Sequence, residues 1–382
     1  YGDGTNAGLT RPVFGNSNAL NAAMLDKSDS NGNLLNATGF FEVRFLKDFK
    51  FTSNNTVYVN ERRASSITNP FYGGYADMKG MVGKSHTRQF NQSYQQLLNW
   101  SRTFNAKHNV AALAGHEYNL QKGYSLSANK SNMFDPWNSE LNNAIMDGSA
   151  SSYTTEYNNE GWIFRGLYDY EGTYFANASY RRDASSKFHP KHRWGNFWSV
   201  GAAWIISKES FMESSRSWLN ALKLKFSYGE QGNDNIGNFL YTNTYNLVNV
   251  NGNAAAVPAT MGNENISWEK GGNLNAGVEF AMFNNRLSGS VDGFYRKTTD
   301  MLMYFTLPTS FGFGGYYRNV GDMMNAGVEL ELSGIAVQTR DFTWTVNFNM
   351  TWYKNRVTYL DPETKIGSAW MPDFDKLSRG EE

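Results

Sequence analysis

The chain has 382 residues, no cysteine, and 35 basic residues balanced by 35 acidic ones. That balance, with no block of Lys or Arg, leaves no electrostatic footprint for nucleic acid, and the missing thiols exclude disulfides and thiolate metal sites. Aromatic residues make up 15% of the chain although its mean hydropathy is −0.56, which suits strands whose alternate residues meet hydrocarbon and water.

In chain order, the opening Tyr1-Gly2-Asp3-Gly4 has neither a Met nor an apolar leader, so the expectation is an internal part of a longer exported chain. Residues 1–37 read as an extracellular loop region. Period-two segments then follow at roughly 38–49, 51–62, 89–104, 107–121, 162–170, 173–184, 193–206, 221–230, 268–282, 286–299, 325–338 and 341–355. Residues 356–382 read as a second loop region.

The clearest segment sets Phe342, Trp344, Val346, Phe348, Met350 and Trp352 against Thr343, Thr345, Asn347, Asn349, Thr351 and Tyr353. In a strand these two sets point to opposite faces. At about 3.3 Å per residue, eleven residues tilted by roughly 40° cross a lipid band of about 25 Å. The same alternation recurs at Leu222-Lys223-Leu224-Lys225-Phe226 and at Val328-Glu329-Leu330-Glu331-Leu332, with charge on the polar face each time. No stretch of about 18 apolar residues occurs, which excludes a transmembrane helix.

Short turns are predicted at Asn105-Ala106-Lys107, Tyr170-Glu171-Gly172, Asn284-Asn285 and Thr339-Arg340-Asp341. They interleave with long Gly/Asn/Ser-rich connections at 63–88, 122–161, 231–267 and 300–324. Long loops on one side and short turns on the other are how outer-membrane barrels are built. The predicted fold is all-β: a transmembrane antiparallel β-barrel, of which 38–355 supply about twelve strands.

Few residues suggest chemistry. His189-Pro190-Lys191-His192 offers two imidazoles, but no carboxylate or thiol completes a metal set, and a surface turn explains them. Glu329 and Glu331 share a strand face, where a water-filled interior accounts for them without acid–base work. The glycines of Phe311-Gly312-Phe313-Gly314-Gly315-Tyr316-Tyr317 precede a strand and not a helix, which argues against phosphate binding. No nucleophile, base and orienting group can be assembled, so no catalytic residue, metal or cofactor is expected. Trp198, Trp204, Tyr228, Trp344 and Trp352 lie on apolar faces near strand ends and are read as membrane-interface anchors. The aromatics Trp137, Tyr153, Tyr157, Trp162, Tyr241, Tyr245, Phe313 and Tyr316 fall in or beside the long loops. They are candidates either for ligand stacking or for small loop cores.

The second half resembles the SusC/RagA-type TonB-linked outer-membrane transporters. The resemblance rests on Arg181-Arg182-Asp183-Ala184-Ser185-Ser186-Lys187-Phe188, then Arg193-Trp194-Gly195-Asn196-Phe197, then Trp204, Ile206, Glu209 and Phe211. It continues through Gly232-Asn233, Ile236-Gly237, Asn265-Ile266-Ser267-Trp268-Glu269, Phe283-Asn284-Asn285-Arg286-Leu287, Asn319-Val320-Gly321 and Gly327-Val328-Glu329-Leu330. Trp198 and Glu264 stand where that family's pattern has Pro.

The resemblance implies a 22-stranded barrel filled by an N-terminal plug, a SusD-like surface lipoprotein as lid, and energy from the inner-membrane TonB complex. It also implies oligosaccharide or peptide as cargo. The plug, the segment that touches TonB and roughly ten C-terminal strands have no counterpart among these residues, on a count of 22. The functional expectation is active nutrient import in the bacterial outer membrane, with lipid as the surrounding partner and no enzymatic activity. A passive porin and a structural or adhesion barrel are the alternatives.

Overall fold

The computed structural model describes residues 19–71 and 73–360. A short helix, Ala19–Leu25, precedes sixteen strands. The strands are β1 (Lys27–Phe45), β2 (Phe49–Thr68), β3 (Met81–Phe104), β4 (His108–Met133), β5 (Ala144–Tyr170), β6 (Tyr174–Ser185), β7 (Trp194–Ile205) and β8 (Leu219–Asn233). They continue with β9 (Thr244–Val250), β10 (Asn253–Thr260), β11 (Glu269–Met282), β12 (Leu287–Thr299), β13 (Leu302–Thr306), β14 (Gly315–Asn319), β15 (Asp322–Gln338) and β16 (Thr343–Tyr359).

Twelve of them form one sheet in the order β1-β2-β3-β4-β5-β6-β7-β8-β11-β12-β15-β16. The strands stand in chain order, with β9–β10 and β13–β14 passed over, and the ladders from β5 to β8, from β8 to β11 and from β11 to β16 are antiparallel. β9–β10 and β13–β14 are separate two-stranded hairpins. All twelve period-two segments correspond to strands of the large sheet, one to one.

Boundaries differ more than identities. β1 begins at Lys27, inside the expected loop region 1–37, and residues 1–18 lie outside the described residues. β4 runs to Met133 and β5 starts at Ala144, so most of the expected 122–161 loop is paired strand. β2 and β3 likewise invade 63–88. At about 3.3 Å per residue, the 26 residues of β4 extend some 86 Å, far beyond what a bilayer requires. Where both faces of a strand meet water, nothing imposes alternation, and the period-two signal vanishes while the backbone ladder continues.

The first turn lies at Leu46-Lys47-Asp48, not near residue 50, with positive φ at Leu46 (46°) and Lys47 (62°). Neither residue type announces a turn. β16 extends to Tyr359, into the expected 356–382 loop, and 361–382 lie outside the described residues. The 231–267 loop contains the β9–β10 hairpin, closed by Asn251 (φ 51°) and Gly252 (φ 84°). That Asn-Gly pair between two β-rich runs is a hairpin signal.

Two compact units divide the chain. One comprises the described part of 1–40 with 54–94 and 119–158. Its core is Ile67, Val82, Met133 and Ala144, with Leu141 against it. Beside this core Asn69, 2% exposed, takes the Asp26 carboxylate on both its backbone N–H (3.0 Å) and its side-chain amide (2.6 Å).

The second unit comprises 41–53, 95–118 and 159–382. Its buried cluster is Phe188, Phe197, Ile266 and Trp268. Trp268 packs on Phe188 at 5.3 Å and edge-on to Phe197 at 5.5 Å, and its indole N–H donates to the Arg193 carbonyl (2.8 Å). Ser185, 1% exposed, donates to Asp234 (2.7 Å), and Asn319 bonds both backbone groups of Ser267. Gly195 and Gly232 are required by this packing: a Cβ would fall 2.5 Å from Phe197 at the first and 2.2 Å at the second. The residues that carry the family resemblance around 185–197, 232–237, 265–269 and 319–321 are therefore largely the parts of one loop knot.

Candidate functional site

Register makes the two faces of the second unit explicit. Along the middle of β5 to β8, β11, β12, β15 and β16 one face is apolar. Tyr168, Ala176, Ala202, Phe226, Ala276, Gly293, Val328 and Trp352 form one continuous transverse row. Tyr170, Tyr174, Trp204, Leu224, Val278, Val291, Leu330 and Met350 form the next.

These side chains are not a protein core. Trp352 is 63% exposed, Trp344 55% and Phe348 49%, while the buried apolar clusters among the described residues contain four residues each. An apolar surface of this extent needs a solvent other than water. The five anchor aromatics, Trp198, Trp204, Tyr228, Trp344 and Trp352, are all on this face. Trp198 stands 4.9 Å from Tyr228, and Trp204 stacks on Tyr174 at 6.0 Å.

Glu209, in the connection after β7, receives the Tyr174 hydroxyl (2.6 Å) and the Trp204 indole N–H (3.0 Å). These two donors, Tyr174 foremost, hold its carboxyl below the ordinary glutamate value. Phe211 adds an edge contact to Trp204 at 6.4 Å. The Trp204, Glu209 and Phe211 spacing is thereby explained: one carboxylate fixes two aromatic rings.

The opposite face is polar. Lys223 and Lys225 both reach Glu279 (3.1 and 2.9 Å), and Lys225 also reaches Asp292 (3.0 Å). Glu329 is the cross-strand partner of Asp292, while Ser290 separates Glu279 from Glu331. Further along, Arg181 joins Asp183 (2.8 Å) and Glu117 (2.7 Å), and Gln95 donates to Glu117. A concavity of about 450 Å³ lies against Asn177, Lys223, Lys225, Asn275, Asp292 and Glu329. Partly exposed pairs of this kind add only about 0–1 kcal/mol each, so their consequence is a wetted, ion-bearing wall and not stability.

The aromatics named as ligand candidates do not form one site. Trp137, Tyr153 and Tyr157 belong to the first unit. Trp137 carries the Lys27 ammonium over its ring at 4.7 Å and Phe71 at 6.2 Å, and Tyr153 is exposed on β5. In the second unit, Tyr241 packs against the buried knot and meets His189 edge-on at 5.8 Å. Tyr245 is exposed on β9, Tyr316 lies on β14 at 5.8 Å from Phe305, and Phe313 occupies the bend before β14.

Trp162 is a correction. It is part of β5, in register with Arg182, and shares its face with Phe164, Gly166 and Tyr168, the apolar face. The alternating pattern begins only at Trp162, while the strand starts eighteen residues earlier at Ala144.

Residues 1–376 match the model of the TonB dependent receptor-like β-barrel family. The chain belongs to that family. Its members are outer-membrane β-barrels, and the apolar face accordingly meets lipid. Among similar proteins, TonB-dependent receptor P39 of Formosa agariphila is 33% identical over 70% of this chain and 26% of its own length. TonB-dependent receptor SusC of Bacteroides thetaiotaomicron is 28% identical over 93% of this chain and 36% of its own length. A solved structure of the RagAB peptide importer superposes with a TM-score of 0.83 at 28% identity, covering 89% of this chain and 38% of that one. The SusC/RagA type is thus shown by both sequence and fold, and these relatives are receptors and transporters, not enzymes. The chain spans about a quarter to a third of the length of the curated relatives it matches.

Proposed function

We propose that these residues are part of the wall of an active nutrient importer of the outer membrane, energised through TonB. Its cargo is an oligosaccharide or a peptide, and its external partner is a SusD-like lipoprotein that closes the mouth. The observation that carries this reading is the polar face of β6 to β16, an ion-lined wall directly behind a lipid-facing surface. The fold shared with the RagAB peptide importer and the match to SusC support it.

The sheet order leaves β1 and β16 at its edges among the described residues. Unpaired strand edges are not tolerated in hydrocarbon, so further strands pair there in the membrane. A plug inside the barrel, joined to the TonB-contacting segment, completes the proposal. Tyr153 of the first unit and Tyr245 of the second are exposed, Tyr157, Phe313 and Tyr316 are half-buried, and these five are the proposed cargo-facing aromatics, because stacking on sugar rings or peptide side chains needs an accessible ring face. Trp137 and Tyr241 serve their own loops.

The test is uptake of labelled oligosaccharides and peptides by cells carrying the whole protein, before and after the proton gradient is collapsed. Saturable uptake that stops with the gradient supports import. Flux proportional to concentration and indifferent to the gradient overturns it in favour of a porin. Co-purification of a surface lipoprotein tests the lid separately.

A further inference from the structure

In the run Arg181-Arg182-Asp183, Arg181 and Asp183 pair with each other at 2.8 Å on the polar face. Arg182 points the other way. It stands in register with Trp162 on β5 and Asn196 on β7, on the lipid-facing side. Its side chain is exposed, it has no carboxylate partner among the described residues, and its guanidinium lies 4.9 Å from the ring of Trp194. Glu160 lies on the same face beside Trp162, but His116 engages its carboxylate at 3.0 Å, so the Arg182 guanidinium is left for an anion from the membrane side, where a cation is stabilised by a negative partner.

One register row further into the band begins an apolar groove of about 520 Å³. Its floor is made of small residues, Ala112, Gly166 and Ala178. Leu98 and Trp100 wall one side, and the stacked Phe164 and Tyr180, 6.4 Å apart, stand beside Trp162 and Arg182. The floor is open: a Cβ on Gly166 would meet nothing within 4 Å. The volume is within the range of about 300–1,000 Å³ usual for small-molecule sites, but the lining is apolar and continuous with the surface that meets lipid.

We infer that this groove seats an acyl chain of a membrane lipid whose headgroup phosphate is bound by Arg182. The groove supplies the apolar slot, and the guanidinium, whose planar fork suits phosphate oxygens, supplies the headgroup clamp. Trp162 and Trp194 flank it at the depth where indoles border the headgroups. His116, 4.4 Å from Trp162 and 3.0 Å from Glu160, is already partnered and holds the Trp162 ring. The inference needs the membrane location and not the transport proposal, so either can fail alone.

The experiment is native mass spectrometry of the delipidated whole protein titrated with phosphatidylglycerol and, separately, with diacylglycerol of the same chains. The expected result is saturable binding of phosphatidylglycerol and weaker binding of diacylglycerol. Arg182→Gln, a change at an exposed side chain, is expected to lower phosphatidylglycerol affinity by about tenfold or more while leaving diacylglycerol unchanged. Gly166→Leu, whose Cβ would meet nothing within 4 Å and whose isobutyl group would occupy the groove, is expected to abolish binding of both, with an unchanged β-sheet circular dichroism signal. Equal affinity for the two lipids, or indifference to Arg182→Gln, overturns the phosphate clamp. Indifference to Gly166→Leu overturns the groove.

Discussion

Val291 and Ser290 are adjacent on β12 and point to opposite faces. Val291 is in register with Val278 and Leu330 on the apolar side, and Ser290 with Glu279 and Glu331 on the polar side. Val291 lies four residues from the strand start at Leu287, about 13 Å along the strand and about 10 Å in depth once the strand is tilted. That is near the middle of a lipid band of about 25 Å, where Arg costs about 2–4 kcal/mol. Val291→Arg is therefore expected to shift the unfolding equilibrium by about 30- to 700-fold. Ser290→Arg places the same cation between two carboxylates, and its cost is expected to stay within about 0.5 kcal/mol. Equilibrium denaturant unfolding of the whole protein in phospholipid vesicles, followed by tryptophan fluorescence, measures both. A cost for Ser290→Arg equal to or larger than that for Val291→Arg would refute the assignment of faces.

Gly232→Ala drives a methyl against Phe197 and Trp268, and overpacking of this kind costs about 1–3 kcal/mol; a lowered midpoint in the same unfolding assay checks it. Ser185→Ala removes the hydroxyl that donates to Asp234, leaving that half-buried carboxylate short of one donor at a cost of about 1 kcal/mol; Ser185→Thr is expected to recover part of it. The Glu209 carboxyl is depressed below its ordinary value of 4.5 by its Tyr174 and Trp204 donors. Its contribution is therefore complete above that value and lost as pH falls through the lower, folded-state value. Hydrogen exchange of residues 206–218 is expected to show constant protection above about pH 5 and a decline in more acidic buffer, and Glu209→Gln is expected to remove that pH dependence.

The membrane-crossing strands were legible because lipid on one side and water on the other impose alternation, as Phe342 to Tyr353 display without a break. The strand extensions beyond the band were not legible, since water on both faces of β4 and β5 relaxes that constraint. Trp162 illustrates the same effect: the alternating pattern begins at it, whereas the strand starts at Ala144. The Leu46-Lys47 turn carries no Gly, Asn or Pro signal and is set by the pairing of β1 with β2. The resemblance located Ser185, Phe188, Gly195, Phe197, Ile266 and Trp268 without saying what they do. Only three-dimensional packing reveals them as one buried knot, because their partners are up to about 80 residues apart in sequence. The loop aromatics stay undivided in sequence because stacking on cargo and stacking on a neighbouring loop ask for the same ring.

A nitroxide scan of positions 343 to 352, one label at a time in the whole protein reconstituted in liposomes, tests the two-faced sheet most directly. Labels at 344, 346, 348, 350 and 352 are expected to relax with membrane-dissolved oxygen and to ignore a water-soluble nickel chelate. Labels at 343, 345, 347, 349 and 351 are expected to show less oxygen access, with the two responses out of phase at a period of two. Equal access at neighbouring positions, or chelate contact at 348 and 350, would contradict a wall with hydrocarbon on one side and water on the other.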